Sequence, residues 1–116
     1  MLMAVGAATA GLLGLTATTA SASSTYYFGG NVVSQHCEAW VVSNGNSWNW
    51  AIGTVEGDAN CQVRLWERNI NTRGQTFTSW STNQTSPLYH NDGVHQVRVE
   101  MWDGTSGSYG TGIWVN

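Results

Sequence analysis

His90-Asn91-Asp92-Gly93-Val94-His95 places two imidazoles and a carboxylate within one short stretch, and these are side-chain types that bind a transition metal. An Asn-Asp-Gly turn would bring His90 and His95 onto paired strands. No third fixed ligand accompanies them, so the stretch reads as a plain hairpin in which Asp92 and Gly93 serve the turn. Glu56, Asp58 and Asn60 alternate near another turn without the ligand count of a calcium loop. Covalent chemistry has less to work with: no serine sits in a Gly-x-Ser-x-Gly elbow, and the chain contains no lysine to act as base or Schiff-base former. Glu67, Glu100 and Asp103 are nominal glycosidase carboxylates, but a domain with one core has little material for a cleft between them. The chain is therefore expected to bind rather than catalyse, with no metal and no cofactor.

Binding is where the sequence is unusual, because seven tryptophans are spread over so few residues. In Cys61 to Arg68 (CQVRLWER) the apolar set is Cys61, Val63 and Leu65, which leaves Arg64, Trp66 and Arg68 on the opposite face of a strand. His95 to Asp103 (HQVRVEMWD) splits the same way, with Val97, Val99 and Met101 inward and Gln96, Arg98, Glu100 and Trp102 outward. Ile113 and Val115 inward would leave Trp114 outward. The candidate binding residues are thus Trp66, Trp102, Trp114, Arg64, Arg68 and Arg98, gathered on one outer face. Two structural explanations compete: the arginines and carboxylates form a self-contained cation–π and ion-pair layer, or another segment covers the face. Trp48, Trp50 and Trp80 suit the core equally well, since their strands do not divide cleanly.

The elements that must position these side chains are all strands. No stretch holds helical periodicity over ten or more residues, and Gly, Asn, Ser and Thr punctuate the chain at short intervals, so the expected fold is all-β, a small antiparallel β-sandwich of about seven strands with one disulfide. Thr25 to Phe28 reads as a short lead-in ended by Gly29-Gly30, followed by strands over Val32 to Ser43, Ser47 to Glu56, Cys61 to Arg68, Gln75 to Ser81, His95 to Asp103 and Thr111 to Val115. Asn69 to Gly74 and Thr82 to Pro87 are polar loops, and Gly104 to Gly110 is a Gly-rich turn. Cys37 joins Cys61 on the core side if Cys37, Ala39 and Val41 point inward.

Residues 1–22 read as a signal peptide: Leu2 to Leu15 is an apolar run broken by small residues, and Ala20-Ser21-Ala22 has the small-x-small form of a cleavage site. It departs from the pattern in lacking an N-terminal positive charge. Residues 23–116 then form a single secreted domain, with no membrane anchor. In an oxidising compartment an isolated cysteine pair forms a disulfide, here worth about 3.5 kcal/mol for a loop of roughly 25 residues. Seven carboxylates against four arginines give a net charge of −3, which excludes nucleic acid and anionic membranes as partners because both need a basic footprint.

Three functions are compatible with this pattern: an interaction subunit docking a secreted protein through the Trp/Arg face, a carbohydrate-binding module, and an inhibitor of an extracellular hydrolase presenting one of the polar loops. A short aromatic strand, a cysteine strand reading C-E-A-W, a second cysteine opening CQVRLWERN and a closing Gly-rich hairpin together resemble small secreted actinobacterial single-disulfide β-sandwich proteins. Some of these are accessory subunits of antibacterial toxin particles of the umbrella type. The resemblance implies an adaptor role in an extracellular complex, with Ser23 to Phe28 available to add a strand to a partner.

Overall fold

A computed structural model of the chain describes residues 25–116, so the expected signal peptide at 1–22 lies outside the described residues. Among the described residues eight strands form two antiparallel four-stranded sheets. They are β1 (Tyr27–Val33), β2 (Cys37–Ser43), β3 (Trp50–Gly57), β4 (Cys61–Asn69), β5 (Gln75–Phe77), β6 (Leu88–Tyr89), β7 (His95–Asp103) and β8 (Ser108–Thr111). One sheet has the order β1-β2-β3-β6 and the other β5-β4-β7-β8. The sheets face each other as a sandwich, and the Cys37–Cys61 disulfide ties β2 of one to β4 of the other.

Alternation decides what lies between the sheets. β2 contributes Cys37, Ala39 and Val41, β3 contributes Ala51 and Val55, β4 contributes Cys61, Val63 and Leu65, and β7 contributes Val97, Val99 and Met101, all buried. Because the side-chain period of a strand is two, the intervening residues of β4 and β7 must all face outward together. The register Val63↔Met101, Leu65↔Val99 and Glu67↔Val97 keeps that assignment along the whole pair. Phe28, Val32, Leu88 and Val115 pack against the edges of this core.

Sequence expectations change at several places, among them the last strand, which is Ser108–Thr111 rather than Thr111 to Val115. Gly29 and Gly30 do not end the first strand; both have positive φ, 91° and 66°, and form an irregularity inside β1, which continues to Val33. Gln75 to Ser81 is not one strand: the ladder with β4 ends at Phe77, Thr78 bonds Leu65 through its N–H and its hydroxyl in place of a full backbone pair, and a single Val63↔Ser81 bridge follows. The strand expected over Ser47 to Glu56 begins only at Trp50, with Trp48 in the turn before it, and none of Trp48, Trp50 and Trp80 joins the core. Ile113 points outward and is 75% exposed. The reason is a β-bulge: Gly112 bonds to Val99 and Val115 exchanges both bonds with Val97, so Ile113 and Trp114 together stand opposite the single residue Arg98. The extra residue breaks the alternation, sending Ile113 and Trp114 outward while Val115 still reaches the core.

Candidate functional site

On the outer side of the β5-β4-β7-β8 sheet the residues singled out by alternation converge. Arg64 lies at the centre of one group, its Cζ 5.1 Å from the Trp66 ring, 4.8 Å from Phe77 and 4.6 Å from Trp80. Its Nε donates to Glu100 Oε1 at 2.7 Å, and the Trp66 indole N–H donates to the same oxygen at 2.8 Å. The cross-strand register makes this possible, because Arg64 stands directly opposite Glu100. Trp114 anchors a second group, with Arg68 and Arg98 Cζ at 4.4 and 4.5 Å from its ring. Trp102 packs on Tyr109 at 4.5 Å, and Tyr109 reaches Trp80 at 6.0 Å, joining the third group to the first.

The face is therefore continuous, and its central rings are neither free nor entombed. Trp66, Trp102 and Trp114 are half-buried by their own arginine and aromatic neighbours, while Phe77 and Tyr109 at the rims are 53% and 66% exposed. Phe77, Trp80, Tyr109 and Glu100 complete the layer but were not among the candidate residues. The signal for Phe77 was its place directly opposite Trp66, which depends on a pairing between β4 and β5 that the sequence does not display.

Charge is distributed unevenly between the two sides. Arg64, Arg68 and Arg98 lie on this sheet, and Arg73 sits in the loop leaving it. The outer face of the β1-β2-β3-β6 sheet carries Glu38 and Glu56, directly opposite each other, and no arginine. That second face holds its own exposed aromatics: Trp50 and Tyr89 meet edge to face at 5.0 Å, and nearby Trp48, 55% exposed, stacks on Tyr26 at 3.8 Å.

The groups with catalytic or metal-binding chemistry are used in turns. His36, Asp103 and Ser106 assemble, but Asp103 Oδ2 and Ser106 Oγ both approach the same ring nitrogen, His36 Nδ1, at 3.2 and 2.9 Å. A nucleophile relay needs the two partners on opposite nitrogens. Burial alone would push the Asp103 carboxyl up; hydrogen bonds from Ser34 Oγ, the Ser106 and His36 N–H groups and the His36 ring outweigh it and hold it far below the usual carboxylate range. His90 and His95 do not converge. His90 is buried against Phe28, whereas His95 Nδ1 lies 2.6 Å from Asp92 Oδ2, and Asp92 also accepts from the Val94 and His95 N–H groups as a turn requires. Asp58 accepts from Thr105 Oγ1 and the Asn60 N–H, closing its own turn rather than meeting Glu56. Among the described residues the one grouping of three ligand-type atoms is Cys37, Asp58 and Cys61, whose two sulfurs are joined in the disulfide. Compared with protein-family models, curated proteins and solved structures, the chain matches none.

Proposed function

We propose that the chain is a non-catalytic interaction module that docks a secreted protein partner through the outer face of the β5-β4-β7-β8 sheet. The observation that carries this reading is pre-organisation: Arg64, Arg68 and Arg98 already hold their guanidinium groups over the Trp66, Trp80 and Trp114 rings, so little side-chain entropy remains to be lost on docking. Tryptophan and arginine are the side chains that most often dominate protein interfaces, and the half-buried centre with exposed aromatic rims matches a hot spot and its surround. An adaptor subunit of an extracellular complex is the form of this role that the sequence resemblance implies.

A tagged chain expressed in its native host tests the reading. A stoichiometric partner should be recovered with the wild type and lost with Trp102→Ala and with Trp66→Ala, each truncation costing about 2–4 kcal/mol of binding. Circular dichroism and an intact disulfide serve as controls for folding. Recovery of the same partner by both folded variants would exclude this face.

A second reading, a carbohydrate-binding module, is favoured by Trp48, Trp50 and Tyr89, which are exposed where the tryptophans of the first face are half-buried, and which have no arginine on them. Retention on insoluble polysaccharide that disappears in Trp50→Ala and survives in Trp102→Ala would move the function to the opposite sheet.

A further inference from the structure

The cations of the Trp/Arg face are not equally compensated. Arg64 has Glu100. Among the described residues, Arg68, Arg73 and Arg98 have no carboxylate within 4.0 Å. Arg68 and Arg98 are diagonal neighbours on adjacent strands, Arg68 facing Gln96 and Arg98 facing Trp66, and both lie on the Trp114 ring, so two like charges are held close on one surface. The Nε of Arg98 is buried and makes no hydrogen bond among the described residues, while Arg68 Nε spends its proton on the neutral Gln96 Oε1 at 2.8 Å.

Beside Arg68 opens a pocket of 430 Å³ lined by Arg68, Asn69, Ile70, Arg73 and Gln75. Its rim is built by Asn69, whose Oδ1 accepts from the Asn71 and Thr72 N–H groups and whose carbonyl accepts from the Arg73 N–H at 2.7 Å. Arg73 itself has φ of 66°, a left-handed conformation that few side chains adopt, and it is this turn that sets Arg73 on the pocket wall beside Arg68. The lining thus combines two guanidinium forks and amide groups with one exposed apolar side chain, Ile70.

We infer that this corner, with Arg68 and Arg73 on the pocket wall, is a carboxylate-binding subsite that receives an acidic side chain from a segment of the partner protein, with Ile70 covering that residue's aliphatic stem and Arg98, across the Trp114 ring from Arg68, adding to the local positive charge. The inference rests on the docking role of the Trp/Arg face and deepens it. Guanidinium forks pair bidentately with carboxylates, and Arg68, already held by the Trp114 ring and Gln96, loses little in doing so. A single carboxylate fits the charge pattern better than an extended polyanion, because a long anionic polymer would run from three arginines onto a molecule with net charge −3.

N-acetyl-tetraglutamate amide, its tetraglutamine counterpart, polygalacturonate and inorganic phosphate are the probes, read by intrinsic tryptophan fluorescence, with Trp114→Phe to assign the change, and by the Nε–H signals of Arg68 and Arg73. The glutamate peptide should bind with shifts at Arg68 and Arg73, the glutamine peptide should not, and Arg73→Gln and Arg68→Gln should each weaken binding by about ten-fold or more. Equal binding of the two peptides, absence of arginine shifts, or tighter binding of polygalacturonate or phosphate than of the glutamate peptide would overturn it. Failure here is separable from failure of the docking face: a partner lost with Trp102→Ala but retained at full affinity by Arg68→Gln and Arg73→Gln sinks the subsite alone.

Discussion

His90 is fully buried, packs edge-on against Phe28 at 4.6 Å and leaves both ring nitrogens without a hydrogen bond among the described residues. Burial pushes its pKa below the ordinary value of 6.5, only partly offset by the backbone of Asn116 and Trp48 and the charge of Asp92. The folded state therefore holds the neutral ring. Its contribution to stability is complete above about pH 6.5 and is lost as pH falls from there toward the lowered value. His95 has the opposite sign: its hydrogen bond with Asp92 raises its pKa, so its contribution is complete below about pH 6.5 and is lost as pH rises through the raised value. Urea midpoints measured from pH 7.5 down to 5 should fall more steeply in His95→Asn than in the wild type, and His90→Leu should remove the fall. A fall that persists undiminished in His90→Leu would acquit the buried imidazole. Glu100 offers a second test at this scale. One carboxylate oxygen satisfies both Arg64 and the Trp66 indole, so Glu100→Ala should cost about 1–3 kcal/mol in denaturant unfolding, with a changed near-ultraviolet tryptophan spectrum. A loss below about 0.5 kcal/mol would mean that the layer holds together on stacking alone.

The bulge after β8 decides two things at once, the outward direction of Trp114 and the closure of the sandwich at its β1 edge. A Cβ on Gly112 would lie 2.0 Å from the carbonyl oxygen of Gly30, a backbone atom that cannot rotate away. Gly30 in turn has 2.9 Å between its own notional Cβ and the Val115 side chain. The two glycines let the first sheet's edge strand press against the chain leaving the second sheet. Gly112→Ala should therefore cost about 1–3 kcal/mol through forced backbone separation, and because Val115 and Trp114 lie on the same short segment it should also weaken docking by the Trp/Arg face. Chemical denaturation together with partner binding checks this; an unchanged unfolding midpoint would show that the edge yields freely. The strand pairs themselves tolerate more, since β4 and β7 keep an uninterrupted nine-residue register.

A domain of roughly 90 residues has only about 5–14 kcal/mol of total stability, so the single cross-link between its sheets weighs heavily. Reduction, or the double substitution Cys37→Ser with Cys61→Ser, should remove about 3.5 kcal/mol and lower the melting temperature by about 15–25 °C. Scanning calorimetry with and without reductant checks it, and a shift of only a few degrees would mean that the packed valines alone hold the layers together. The whole molecule is also electrically two-sided, with all four arginines on or beside one sheet and the Glu38/Glu56 pair on the other. Docking through the arginine side should slow and weaken as salt rises, whereas binding of a neutral polysaccharide by the Trp50 side should not.

From residue order alone came the class of fold, the inward set of β4 and β7, the disulfide and the convergence of Trp66 and Trp102, because all of these follow from a period of two and one available cysteine pair. Trp114 also faces outward, though for a reason no alternation contains: a bulge is an interruption of the period and is visible only where two strands are laid side by side. Pairing likewise decided that Phe77 lies against Trp66, that the short segment after it brings Trp80 onto Arg64, and that two arginines share one indole while one of them, Arg68, lines a pocket with Arg73. Which charges find partners is a question of distance across strands, and a linear string carries no such distances; tertiary structure supplied them.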